Sequence, residues 1–143
     1  MSLSDGIYKI SNVGNDKYRL AFYDSDTVKA NDSSNVKVEI KNVTSGHQIR
    51  FNDSGVNPST SDWFGYNTDL KPDNRVIQRT GKQNLTGDNL LWAVTSAGPD
   101  QYNIKVWNGN AAWTLPDSPK NPSDINIEPA EGKQSQLWKI VKA

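Results

Sequence analysis

Asp24-Ser25-Asp26 sets two carboxylates two residues apart, a spacing found in calcium loops. The third acidic ligand and the glycine of such a loop are missing, so a solvated turn is expected there instead. His47 is the one histidine, and the chain has no cysteine and no Gly-x-Ser-x-Gly elbow, so nucleophilic catalysis lacks its parts. His47 is expected in a surface turn, and zinc would need more nitrogen or sulfur ligands than this sequence owns. No cofactor and no enzymatic activity are expected. The remaining chemistry is recognition. Lys71-Pro72-Asp73-Asn74-Arg75 and Arg79-Thr80-Gly81-Lys82 put cations in or beside turns, with no proline after Arg79 or Lys82, as a protease with an acidic specificity pocket requires. Trp107, followed by Asn108-Gly109-Asn110, offers a ring and two amides, an alternative pocket for a glycan.

Displaying such groups needs a scaffold, and the composition bounds it. The 143 residues are enough to bury a core without disulfides, and one domain, a monomer, is expected. Sixteen cations balance sixteen carboxylates, so no electrostatic attraction favours nucleic acid or an anionic membrane. The lack of cysteine fits a reducing compartment, and residues 1–6 carry neither the basic start nor the apolar run of a secretory signal, so a cytoplasmic protein is expected. Only three Glu occur, while Asn, Asp, Gly and Pro gather between the apolar stretches, which points to strands and turns rather than helices.

A short apolar strand, a glycine turn and an aromatic strand recur three times in the same order. The first copy is Ile7-Tyr8-Lys9-Ile10, Gly14 and Tyr18-Arg19-Leu20-Ala21-Phe22; the second is Gln48-Ile49-Arg50-Phe51, Gly55 and Trp63-Phe64-Gly65-Tyr66. The third is Tyr102-Asn103-Ile104-Lys105-Val106-Trp107, Gly109 and Ala111-Ala112-Trp113-Thr114-Leu115. Closing strands carry Val38, Trp92 and Trp138 at matching places, and these three are assigned to the core. The roles of Trp63, Trp107 and Trp113 are left open. Apolar–polar alternation predicts twelve strands, near 6–13, 17–23, 27–31, 36–43, 47–52, 63–67, 75–80, 89–96, 101–107, 111–115, 124–128 and 136–142. Fixed-order repetition in fours describes an all-β fold, a β-trefoil of three pseudo-repeated lobes near 6–46, 47–98 and 99–143, with six strands in a closed barrel.

The opening Ser-Leu-Ser-Asp-Gly-Ile-Tyr-Lys-Ile-Ser-Asn-Val (residues 2–13) and the ending Gln136-Leu137-Trp138-Lys139-Ile140-Val141 resemble the mushroom β-trefoil proteins. Within that group the chain is most similar to the cospin-like serine protease inhibitors, and then to the clitocypin and macrocypin inhibitors. Ricin-B-like fungal lectins share both motifs. The resemblance implies a protease as partner, met by an exposed loop, and a role in fungal defence. It nominates the loop joining the second and third strands, with Asp24, Ser25, Asp26 and Thr27, and the nearby Lys29 and Asn31. The macrocypin likeness adds Asn52 and Asn57 in the loop after the fifth strand, and chemistry alone adds Arg79. The lectin alternative loses support because the third strands, Val28-Lys29-Ala30, Val76-Ile77-Gln78-Arg79 and Ile125-Asn126-Ile127, offer no aromatic face for a sugar.

Overall fold

The computed structural model describes residues 3–44, 46–52 and 62–143. Among them eleven strands form one antiparallel sheet system: β1 (Gly6–Asn12), β2 (Arg19–Ala21), β3 (Lys29–Asn31), β4 (Val38–Val43), β5 (Gly46–Phe51), β6 (Trp92–Gly98), β7 (Gln101–Val106), β8 (Ala111–Thr114), β9 (Ser123–Asp124), β10 (Asn126–Pro129) and β11 (Trp138–Lys142). Two 3-10 turns, Gly87–Leu90 and Gln134–Gln136, precede β6 and β11. No helix is long and apolar enough to cross a membrane among the described residues.

Six of the strands close a ring. β1 pairs β4, β4 pairs β5, β5 pairs β6, β6 pairs β7, β7 pairs β11, and β11 returns to β1. The alternation that predicted these strands also sets which side chains face inward: Tyr8, Ile10 and Asn12 of β1 are buried, whereas Lys9 and Ser11 between them are not. A closed ring leaves no unpaired strand edge on the barrel.

The remaining strands extend from the ring: β2 pairs β1 and β3, β3 pairs β9, and β8 pairs β7 and β10. The predicted strands at 63–67 and 75–80 are not ladders, and the reason lies in residues 76–78. Val76 donates its N–H to Ile125 O (3.0 Å), Ile77 to Gly65 O (2.8 Å) and Gln78 to Asp26 O (2.8 Å), so three successive residues bond to three different segments. Single bridges at Gly65↔Ile77, Thr27↔Ile77 and Arg75↔Asn126 result. Gly65 suits this crossing because a Cβ there would lie 2.6 Å from Asn89 O. The strand predicted at 124–128 is likewise split: Asp124 pairs with Lys29 of β3, and Asn126 with Thr114 of β8.

Trp92, Trp113 and Trp138 are fully buried, which settles Trp113 as a core residue alongside the two assigned from sequence. Their rings meet edge to face, at 5.3 Å between Trp92 and Trp113 and 5.9 Å between Trp113 and Trp138. That is the geometry the ring quadrupole favours, and truncating such a side chain costs about 3–5 kcal/mol. One hydrogen bond recurs here: Trp92 Nε1 donates to Phe64 O (3.2 Å) and Trp138 Nε1 to Trp113 O (3.0 Å). Trp63 is half-buried, with the Arg50 guanidinium 4.3 Å from its ring centroid.

His47 departs from expectation. It is 3% exposed, inside β5 opposite Trp92, because Gly46 already belongs to the strand and carries the chain straight in from the turn. Neither ring nitrogen has a hydrogen-bond partner among the described residues. Burial lowers its pKa by more than the nearby Leu3 and Trp92 carbonyls and the Asp5 carboxylate raise it.

Candidate functional site

β2 ends at Ala21 and β3 begins at Lys29, and the chain between them leaves the sheet with its two flanks fastened. Ser25 N–H donates to Tyr23 O (2.8 Å), closing a three-residue turn with Asp24 at its apex. The Asp24 side chain is 90% exposed. On the incoming side, Gln78 Nε2 donates to Tyr23 O (3.2 Å), and the Tyr23 hydroxyl accepts from Asn31 Nδ2 (2.8 Å). On the outgoing side, Asp26 O accepts from Gln78 N (2.8 Å) and Arg79 N (3.2 Å). Thr27, buried, donates its hydroxyl to Asp124 Oδ1 (2.7 Å). Residues 78–79 and Asp124 thus form a platform under the loop, beyond which the tip projects.

The charges of this platform cancel in pairs. Arg79 bridges Asp24 and Asp26, with Lys82 3.4 Å from Asp26 Oδ1. Lys29 Nζ lies 2.7 Å from Asp124 Oδ1, the oxygen that also accepts from Thr27. Burial pushes the Asp124 carboxyl upward, but the hydrogen bonds from Lys29 and Thr27, with the charges of Lys29 and Arg75, overcome it and leave the pKa below the usual carboxylate value. Phe22, at the foot of the loop, is 40% exposed and is the only large apolar side chain so exposed among the described residues.

Asp24, Ser25, Asp26 and Thr27, together with Arg79 far from them in sequence, therefore make one site. Asn31 serves two segments: its Nδ2 holds the Tyr23 hydroxyl of the loop, and its Oδ1 accepts from Ser33 N (3.1 Å) and Ser34 N (2.7 Å) and shapes the turn after β3. Lys29 faces Asp124 rather than a partner. Arg75, in the basic segment that begins at Lys71, forms a two-point pair with Asp73 (2.9 and 3.0 Å). Lys82 stands in a turn where Leu85 N donates to Thr80 O (3.0 Å), not in an extended loop. Asn52 is half-buried, its N–H donating to Lys37 O (2.9 Å), and Asn57 lies outside the described residues. Gln78 and Asp124, which hold the loop, were not singled out from sequence. Gln78 adjoins Arg79, and nothing in the local pattern marks Asp124.

The second candidate lies elsewhere on the molecule. Trp107 is half-buried, its ring packed over Gly46, where a Cβ would come within 3.2 Å of it. The Trp107 backbone N–H donates to the Tyr66 hydroxyl (3.1 Å). Asn108 takes a positive φ of 59°, and Asn110 O accepts from Ala130 N (2.9 Å), so the turn is fastened on both sides and one face of the indole is spent on packing. Among the described residues no three His, Asp or Glu side chains gather as a metal site would require.

No family model and no curated protein matches the sequence. Solved structures do match its fold. A proteinase inhibitor from Coprinopsis cinerea is similar over 99% of this chain and 100% of its own, with a TM-score of 0.74 at 11% identity. A ricin B-like lectin from Macrolepiota procera, solved with lactose, is similar over 100% of this chain and 99% of its own, with a TM-score of 0.75 at 15% identity. ThreeFoil, a designed three-fold symmetric protein, gives a TM-score of 0.72 at 16% identity over 97% of this chain and 100% of its own. The shared feature at these identities is the all-β fold of the β-trefoil proteins.

Proposed function

We propose that this chain is a protease inhibitor, directed at serine proteases, that inserts the loop between β2 and β3 into the active-site cleft. The observation that carries this reading is the loop itself: an exposed apex at Asp24 held on both flanks by Gln78, Arg79 and Asp124. A loop ordered before binding loses little freedom in the complex, and one that stays anchored after attack is a poor substrate. The fold shared with a proteinase inhibitor supports the reading. So does the half-exposed Phe22 beside the loop, an apolar contact of the kind interfaces enrich.

The target class follows from the side chains the site leaves available. A trypsin-like enzyme needs a cation for its acidic pocket. Arg79 is the cation nearest the tip, and it must leave Asp24 and Asp26 to serve. Phe22 would suit an enzyme with an apolar pocket without breaking an ion pair, although it must leave the edge-to-face contact with Phe51 (5.5 Å between ring centroids). The scaffold we propose is a twelve-strand trefoil with lobes near 6–46, 47–98 and 99–143, working as a cytoplasmic monomer in fungal defence.

Titration of trypsin, chymotrypsin, papain and asparaginyl endopeptidase with the purified protein tests the reading. Stoichiometric loss of trypsin or chymotrypsin activity is expected, and it should vanish in the triple variant Asp24→Ala, Ser25→Ala, Asp26→Ala while the melting curve is kept. Four unaffected proteases together with glycan binding that Trp107→Ala abolishes would replace this reading with the lectin one.

A further inference from the structure

On the opposite flank of β2 the charges do not cancel. Ser11 of β1 is the register partner of Arg19 on β2 and also of Lys139 on β11. Directly opposed residues share a face of the sheet, and neighbouring strands stand about 5 Å apart, so Arg19 and Lys139 flank the Ser11 hydroxyl on either side. Lys9, two residues earlier on β1, joins the same face. These side chains line a groove of about 400 Å³ whose apolar wall comes from Val36 and Val141.

Lys9 Nζ donates to Asn35 Oδ1 (2.8 Å), and Arg19 Nη1 to Ser34 O (3.3 Å). Both heads are thereby steered by neutral acceptors of the turn after β3, with most of their donors unspent. None of Lys9, Arg19 and Lys139 forms an ion pair with a described carboxylate, although Asp16 also borders the groove. Elsewhere Lys29, Arg50, Arg75, Arg79, Lys82 and Lys133 each have such a partner. Three cations, a hydroxyl and the Asp16 carboxylate thus border one concave face, and none of the three cations is held in an ion pair. The arrangement supplies charge-assisted donors from two directions.

We propose that this groove binds a sulfate or phosphate ester carried on a sugar-sized body, with the ester between Arg19, Ser11 and Lys139 and the apolar face of the ring against Val36 and Val141. A groove of this volume suits one such unit. The site is separate from the loop at Asp24 and does not depend on protease inhibition.

Titration of the ¹⁵N-labelled protein with glucose 6-sulfate, glucose 6-phosphate and glucose tests the proposal. The two esters should move the amide signals of Ser11, Arg19 and Lys139, glucose should not, and the stronger ester identifies the source of the oxyanion. Arg19→Gln and Lys139→Gln should each weaken binding about tenfold, as loss of one charge-assisted contact would, whereas Lys71→Gln should leave it unchanged. Raising the salt concentration should weaken binding as well. No shift at millimolar ester, equal shifts with glucose, or unaltered affinity in the Arg19→Gln, Lys139→Gln double variant would overturn it.

Discussion

The platform under the Asp24 loop and the groove beside Ser11 are both charged, and they spend their charges in opposite ways. On the platform each cation meets a carboxylate: Lys29 meets Asp124, Arg79 meets Asp24 and Asp26, and Lys82 meets Asp26. In the groove Lys9 and Arg19 meet only neutral acceptors. The first arrangement fixes backbone in place, and the second leaves a field for a ligand. A net charge of zero over the whole chain conceals this division, since the balance that makes one region rigid is missing from the other.

The largest effect separating the regions should come from Asp124→Ala. This change leaves the buried Thr27 hydroxyl only its long contact with Ser25 Oγ (3.4 Å) and unpairs a partly buried Lys29 ammonium, and such losses cost about 1–3 kcal/mol. Urea unfolding should register a loss of about 2 kcal/mol. Acid should reproduce part of it. The folded-state pKa of Asp124 lies below the unfolded value, so its contribution is complete above the unfolded pKa, about 3.9, and disappears as pH falls through the folded one. A wild-type stability profile with no more acid sensitivity than the Asp124→Ala profile would contradict the anchoring role.

Arg79→Gln should cost less, at most about 1 kcal/mol, because its pairs with Asp24 and Asp26 are partly solvated. Its clearer signature should be kinetic: faster proteolysis at residues 24–26, followed by mass spectrometry, at nearly unchanged global stability. The smallest effect belongs to the groove. Lys139→Gln should leave the unfolding free energy within about 0.5 kcal/mol of wild type, since no pair is broken. A larger loss would mean that the groove cations support the fold, and the contrast between the two regions would disappear.

Much of the barrel was legible in the sequence because its strands obey one rule at a time. Alternation in β1, β4, β5, β6, β7 and β11 matches inward and outward faces, and Trp92 and Trp138 mark their burial. Residues 76–78 obey three neighbours at once, so their apolar pattern resembles a strand while their hydrogen bonds form no ladder. His47 follows a turn-like Val43-Thr44-Ser45-Gly46, a pattern that points to the surface, yet the glycine that suggests a turn is already in β5. Asp24, Asp26 and Arg79 were each visible as chemistry, but their union depends on residues 78–79 lying under the β2–β3 connection. Lys9, Arg19 and Lys139 were harder still. They belong to three strands, and only register places them on one face.

The seam between β1 and β11 has a consequence for how the molecule forms. Tyr8 pairs with Lys142 and Asn12 with Trp138, so the barrel is sealed by contacts between opposite ends of the described chain. Such distant contacts repay the entropy of bringing the ends together only once nearly everything between them is ordered. Folding should therefore be slow for a domain of this size, and the hairpins β4–β5 and β6–β7, whose pairing is local, are the natural places for it to begin.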